Sequence, residues 1–320
     1  MRLRGVLVVG GLVTLALVAL LGYRLVDRVT PFFQQEQCVA TADDRSVSLS
    51  LEQAENAALI TAISVQRGLP ARAATIALAT AYQESKLYNI ESGDRDSLGL
   101  FQQRPSQGWG SPEQVLDPVY ATNKFYDALV QVDGYDSMEV TVAAQEVQRS
   151  AYPDAYADHE DDARVLASAL TGNSRAAFHC VTDGDAAEAA DRLTDSGLTR
   201  RADVVRRDLL AAFGSLSLGG FAPGGVRDGH QEGSTHYDGR AVDVFFRPVT
   251  PENKTRGWAV AQYLVAQADR LGIQNVIFDD RIWTSGGRSD EGWRDYNPPS
   301  RSGSREILEH RDHVHVDVFD

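Results

Sequence analysis

The chain has 320 residues, of which 43% are hydrophobic and 24% are charged. This composition is that of a folded globular protein and excludes a disordered or collagenous chain. Acidic residues outnumber basic residues by 45 to 31, giving a formal net charge of -14. Because this negative excess repels phosphate backbones, we expect no nucleic-acid partner. The length favours two domains, since single hydrophobic cores stop growing at about 250 to 300 residues.

The first predicted element is a membrane anchor. Residues 5–22 form an uninterrupted, mostly aliphatic run that Arg2 and Arg4 precede and Arg24 follows. As a helix this run would be about 27 Å long, enough to cross a bilayer core. A cleaved signal peptide is the alternative, although its apolar region is normally about 7 to 15 residues and ends at a small-residue cleavage site. We therefore predict a single-pass cell-membrane protein, with a cytoplasmic tip and anchor at residues 1–30 and the rest extracytoplasmic.

The only two cysteines, Cys38 and Cys180, both follow the predicted anchor. In an oxidising compartment an even number of cysteines indicates a disulfide, so we predict a bridge between them. Two buried free thiols are the alternative. Their separation excludes a CxxC metal site.

Helices come next in the chain. Ser50 and Gln53 form an S-x-x-Q capping box ahead of a run of aliphatic residues, which predicts the start of a helix. Further helical stretches are predicted at about residues 70–84 and 117–132. We therefore predict a mainly helical domain at residues 51–178.

A second domain is predicted at residues 199–320. It begins with a helical pattern and contains strands at residues 273–278 and 313–319, so we predict an α+β domain with a small antiparallel sheet. Residues 179–198 are predicted to be a linker between the domains. A second linker, residues 31–50, separates the anchor from the helical domain.

Two of the predicted strands carry histidine and aspartate in alternation with valine. Asp243 lies between Val242 and Val244, and the terminal strand alternates valines with His313, His315 and Asp317. Alternation places these polar side chains on one face of each strand. Two neighbouring strands of this kind would present imidazole and carboxylate groups together, as a three-ligand zinc site with one open position requires. Ordinary surface residues on half-exposed strands are the alternative.

The two segments together resemble a known zinc motif. Residues 234–243, with the pattern S-x-H-x-x-G-x-A-x-D, resemble the motif of the D-alanyl-D-alanine carboxypeptidase family and its L-alanyl-D-glutamate endopeptidase relatives. These enzymes share a fold group with lysostaphin-type enzymes and the Hedgehog signalling domain. His310-x-x-His313-x-His315 is similar to the second half of the site in the murein endopeptidase branch. The resemblance covers roughly residues 202–320.

This resemblance implies that His236, Asp243 and His315 bind zinc and that His313 assists the attacking water. In the carboxypeptidase branch a glutamate lies three residues before the last ligand, where this chain has Asp312. The identity of the catalytic base therefore remains open between Asp312 and His313.

The resemblance also implies a substrate and a reaction. Arg227 precedes the motif where relatives often carry an arginine that binds a substrate carboxylate. The implied reaction is zinc-dependent cleavage of an amide bond in the stem peptides of peptidoglycan, with zinc polarising the carbonyl group. Peptidoglycan is thus the predicted partner, and its location suits an exported enzyme.

A second resemblance lies in the helical domain. Glu84 ends an alanine-rich helix and is followed by Ser85, a turn-rich segment and the pattern S-x-G-L-x-Q at residues 97–102. This order resembles the lysozyme-like lytic transglycosylases over about residues 52–172. It also indicates a small loop or hairpin directly after Glu84.

The transglycosylase resemblance implies that Glu84 is the general acid, with Ser97 and Gln102 shaping a hairpin that binds the glycan. Transglycosylases need this one carboxyl group, whereas most glycoside hydrolases need a second, for which Asp94 and Asp96 are candidates. Residues 148–156 depart from the Asn-rich late motif of transglycosylases, so cleavage or mere binding of glycan remains open. For the whole protein, the alternative is a non-catalytic peptidoglycan-binding scaffold of the cell envelope.

Overall fold

The computed structural model describes residues 36–150, 152–186, 192–298 and 302–320. Gln37–Asp320 forms one compact unit with an α+β fold and two small antiparallel sheets. The predicted α+β class is therefore correct for this unit.

Among the described residues, six α-helices form the helical half of the unit. Their order follows the sequence expectations, and the predicted capping box is present: the Ser50 hydroxyl accepts from the Gln53 amide, and the Gln53 side chain accepts from the Ser50 amide. The alanine-rich second helix is buried along most of its length, because small side chains let its neighbours approach closely. The helices are α1 Leu51–Gln66, α2 Ala71–Ser85, α3 Pro112–Val115, α4 Pro118–Leu129, α5 Val140–Gln148 and α6 Glu160–Leu170.

A three-stranded sheet packs beside these helices. Strands β1 Gln37–Ala42 and β2 Arg45–Leu49 lie within the segment predicted as a linker, and β3 Phe178–Val181 completes the order β2-β1-β3. The strands form there because Cys38 and alternate residues after it are buried. The predicted disulfide is confirmed: Cys38 lies opposite Cys180 in the β1–β3 pairing, and the two are bonded.

A six-stranded sheet and four helices form the sheet half. The strand order is β4-β5-β9-β6-β7-β8, and each neighbouring pair is antiparallel, so the two strands with the predicted metal ligands, β5 and β9, are adjacent. The strands are β4 Leu218–Gly219, β5 Ala241–Phe245, β6 Ile273–Phe278, β7 Arg281–Thr284, β8 Arg294–Asp295 and β9 His313–Val318. The helices are α7 Arg200–Phe213, α8 Pro251–Ala266, α9 Ala268–Leu271 and α10 Arg305–Leu308.

Helix α8 joins the two halves. The side chain of Gln262, which is fully buried, donates to the Ala169 carbonyl at 2.6 Å and accepts from the Ala177 amide at 2.8 Å. A buried amide with both ends satisfied favours one arrangement of the two halves. The domain limits at residues 178 and 199 stay predictions.

The predicted membrane anchor is wrong for the structure as described. Residues 5–22 themselves lie outside the described residues. Within the described ranges, no helix has the length and apolar character needed to cross a membrane. Helices α1 and α8, for example, have 16 residues each, or about 24 Å, against about 30 Å of hydrocarbon. Over the described residues the fold class is therefore α+β, and no helix there supports the predicted single-pass membrane anchor.

Candidate functional site

The pairing of β5 with β9 brings the predicted ligands together. Asp243 lies directly opposite His315, and both side chains are buried, at 5% and 7% exposure. The valines on either side of each residue face the hydrophobic core. The polar faces of both strands thus meet at the same place, as their alternation predicts.

Three ligand atoms form a nearly equilateral triangle. His236 Nε2 lies 3.1 Å from His315 Nδ1 and 3.2 Å from Asp243 Oδ1, and His315 Nδ1 lies 3.1 Å from Asp243 Oδ1. Donors around a tetrahedral ion at about 2.0 to 2.1 Å lie roughly 3.3 Å apart. The spacing of this ligand triangle, formed by His236, Asp243 and His315, therefore suits a zinc-sized ion.

The far nitrogens of both imidazoles have partners that orient the rings. His236 Nδ1 lies 2.7 Å from the Gly220 carbonyl, and His315 Nε2 lies 3.2 Å from Asp317 Oδ2. An imidazole that donates through one nitrogen presents the lone pair of the other to an ion. Gly220 has φ +78°, and a Cβ there would come within 2.3 Å of the His236 ring, so this position requires glycine.

Buried charge in the triangle favours a bound cation. Burial lowers the pKa of His315, but the hydrogen bonds that it donates to Asp243 and Asp317 outweigh burial and raise that pKa to about 10. Burial raises the pKa of Asp243, yet hydrogen bonds with His236 and His315 hold it well below its usual range. Asp243 and Asp317 therefore stabilise the protonated form of His315. A divalent ion can replace that proton.

A further histidine lies beside the triangle. His230, His236 and Asp243 form a potential metal-binding group, since one ligand atom of each lies within 4.8 Å of the others. The His230 ring also stacks on the His236 ring, with centroids 3.9 Å apart. The sequence motifs predicted no role for His230, although it lies six residues before His236 in a glycine-rich stretch.

His313 and Asp312, the two candidates for the base, occupy different positions. His313 Nε2 is 3.9 Å from Asp243 Oδ1, beside the ligand triangle, and His313 lines the cavity in front of it. Asp312 lies behind His313, with Oδ1 2.7 Å from His313 Nδ1 and Oδ2 accepting from Arg247 Nε at 2.6 Å. Asp312 does not line the cavity.

The cavity in front of the triangle has a volume of about 710 Å³. Arg247 lines it with half of its side chain exposed, and its guanidinium lies 4.2 Å from the centre of the Phe245 ring. Arg227, predicted to bind a substrate carboxylate, is exposed and is not among the lining residues. Sequence reasoning missed Arg247, whose signal was its place just beyond the strand that carries Asp243.

Glu84 belongs to a separate cluster in the helical half. Its Oε1 accepts a hydrogen bond of 2.7 Å from the hydroxyl of Tyr156, a buried residue. Burial and the nearby Glu84 carboxylate raise the pKa of Tyr156, so its hydroxyl stays protonated and donates. Neither residue lines the cavity of the ligand triangle.

The predicted hairpin follows Glu84 directly. Leu98 and Gln103 form a β-bridge, and the Ser85 hydroxyl donates to the Leu100 carbonyl at 2.8 Å. Ser97 is buried, and the Gln102 side chain donates to the Gly99 carbonyl at 3.2 Å. Both residues therefore contribute to the shape of the hairpin, next to the helix that ends with Glu84.

Comparison with known protein families finds a partial likeness. Residues 194–306 are similar to a protein family described as "VldE, C-terminal domain". The matched segment includes His236 and Asp243 and ends before His315. No curated protein matches the chain.

Proposed function

We propose that this protein is a zinc-dependent peptidase that cleaves amide bonds in the stem peptides of peptidoglycan, outside the cytoplasm. The observation that carries the proposal is the triangle of His236, Asp243 and His315, whose ligand atoms lie 3.1 to 3.2 Å apart in front of a cavity. Two imidazoles and one carboxylate with an open approach are the usual protein donors of a catalytic zinc site.

Iron(II) also uses two histidines and one carboxylate, so the ligand set needs a second argument. The bond between Cys38 and Cys180 supports an oxidising compartment. Zinc has no redox chemistry and therefore persists in an oxidising compartment. The compartment thus favours zinc over iron(II). When bound, zinc would supply Lewis-acid polarisation of the scissile carbonyl group and promote ionisation of the attacking water.

The residues beside the triangle have distinct roles in this proposal. His313 is the base that takes a proton from the water, because its Nε2 side faces Asp243 and the cavity. Asp312 is a positioning residue: it holds His313 Nδ1 at 2.7 Å, which fixes the ring and stabilises the imidazolium after proton transfer. Arg247 in turn holds Asp312 from the other side.

Support for peptidoglycan as the substrate comes from the two halves of the chain together. The motifs of the sheet half resemble enzymes that cut its peptides, and those of the helical half resemble enzymes that act on its glycan. We propose that the helical half binds the glycan strand beside Glu84 and the hairpin that contains Leu98 and Gln103. Asp96, one candidate for a second carboxylate, is engaged by Arg104 at 2.7 Å and by the Ser106 amide at 2.8 Å, so the proposal uses Glu84 as general acid without Asp96 as its partner.

Metal content and peptide products test the proposal. We expect elemental mass spectrometry to find one zinc per molecule in the purified full chain. We also expect the full chain to release shortened stem peptides from muropeptides. His236→Ala and His315→Ala should lose the zinc, whereas His179→Ala, a change of the same type on β3, should keep it. A zinc-free protein after zinc loading, or a fully loaded protein that leaves every muropeptide intact, would reject the peptidase.

A further inference from the structure

His230 lies just outside the ligand triangle. Its ligand atom lies within 4.8 Å of those of His236 and Asp243, whereas the triangle itself has sides of 3.1 to 3.2 Å. The residue also lines the cavity through which a substrate would approach. Its imidazole is thus near enough to reach an ion in the triangle after a small movement, and it lies on the open side.

The backbone of His230 is held by a residue next to a ligand. The Tyr237 hydroxyl donates to the His230 carbonyl at 2.5 Å and accepts from the His230 amide at 3.1 Å. Tyr237 follows His236 directly in the chain, so this contact fixes His230 relative to the triangle. The Tyr237 ring also meets the His230 ring edge-on, with centroids 6.0 Å apart.

Glycines on both sides of His230 allow the loop to change conformation. Gly229 and Gly233 have φ +88° and +79°, and no heavy atom lies within 4 Å of the place where a Cβ would stand. Neither glycine is needed for a close contact. Both tolerate positive φ angles and lack a side chain, so the backbone can change its dihedral angles at these two positions. The segment between them, residues 229–233, forms one wall of the cavity.

These observations lead to a specific role that rests on the proposed metal site. We propose that His230 is a fourth, exchangeable protein ligand, which completes the coordination of the ion at rest and leaves with its loop when substrate enters the cavity. The contact from Tyr237 stabilises the closed arrangement, and the two glycines permit the open one. A closed resting site would protect the ion from chelators and would make the loop compete with the substrate.

X-ray absorption by the zinc-loaded full chain tests this role directly, because it reports how many imidazoles surround the ion. We expect three imidazoles in the wild type and two in His230→Ala. Zinc transfer to a chelator should be about tenfold faster for His230→Ala, and faster also for Tyr237→Phe. Gln231→Ala changes the same loop without removing a donor and should match the wild type in both measurements.

The outcomes separate this proposal from the peptidase itself. Two imidazoles in both wild type and His230→Ala, with equal rates of zinc transfer, would overturn the fourth ligand while leaving the three-ligand site intact. Failure of both proteins to bind zinc would remove the metal site and the fourth ligand together. Cleavage of muropeptides provides a second readout: His230→Ala should have a lower KM than the wild type, and an unchanged KM or a loss of cleavage with retained zinc would contradict competition between loop and substrate.

Discussion

Asp312 lies behind His313 and not beside the metal ligands: its Oδ1 is 2.7 Å from His313 Nδ1, on the side of the ring opposite Asp243. The carboxylate therefore acts on the water only through the imidazole. Asp312→Asn should keep full zinc content and lower kcat by about 10² to 10⁴, with little change in KM, because it weakens only the stabilisation of the protonated ring. Steady-state kinetics on a muropeptide, with zinc assayed in parallel, measures this. Unchanged kcat would show that Asp312 does not position the base.

Gly220 has a structural role at the metal site. Gly220→Ala should reduce zinc binding and lower Tm, since the new Cβ would come within 2.3 Å of the His236 ring at a left-handed backbone position. Gly224→Ala is the matched control, with φ +82° and open space around it, and should show only the strain of about 1 kcal/mol. Equal zinc binding by the two variants would mean that the contact with Gly220 does not orient His236.

The disulfide should stabilise the fold without affecting the metal site. Replacing Cys38 and Cys180 together with serine should lower the free energy of unfolding by about 2 to 5 kcal/mol, because the bond closes a loop across 142 positions of sequence. Urea unfolding measures the loss. At urea concentrations below the unfolding transition, the zinc content should equal that of the wild type, since neither cysteine lines the cavity. An unchanged free energy of unfolding would show that loss of the disulfide adds little conformational entropy to the unfolded chain.

Glu55 on α1 should make stability depend on pH. Burial raises its pKa from 4.5 to about 7, although Arg270, at 3.7 Å, acts in the opposite direction. The folded state therefore binds a proton more tightly than the unfolded state, and stability should fall as pH rises from about 4.5 through 7. Glu55→Gln should lose less stability than the wild type between pH 5 and pH 8, and should be more stable than the wild type by about 1 kcal/mol at pH 8. Denaturant curves at both values test this, and Glu52→Gln on the same helix is the control.

Glu84→Gln tests glycan cleavage by the helical half. Glutamine keeps the shape but cannot transfer a proton, so release of anhydro-muramyl ends should fall by about 10² to 10⁴ while glycan binding persists. Mass spectrometry of digested strands distinguishes these ends, which are one water lighter than hydrolysed ends. Wild-type protein that binds strands and releases neither kind of end would make the helical half a binding module.

Local patterns predicted much of this structure because their causes are local. The capping box at Ser50 needs only residues within one helical turn, and the alternation around Asp243 depends only on the geometry of an extended strand. The apolar run at residues 5–22 was a weaker guide, since it led to a membrane anchor that the described structure does not support.

The arrangement of the site required information that alternation does not carry. Alternation places His315 on a face of β9 but does not say that Asp243 is its partner across the sheet; the register does. His230 comes from a loop whose path depends on the hydroxyl of Tyr237, and Asp312, which does not line the cavity, is held by Arg247 from the far end of β5. These are contacts between distant or irregular segments, which no repeat in the sequence reveals.

The pairing of Cys38 with Cys180 also sets an order of events during synthesis. A ribosome makes the chain from its N-terminus, so both sulfurs emerge before His236, Asp243 and His315 exist. If the chain is exported while it is being made, the covalent loop around the helical half can therefore close before the last ligand of the triangle, His315, has been added. The fold of the helical half can thus be closed covalently before the three residues of the ligand triangle are able to meet.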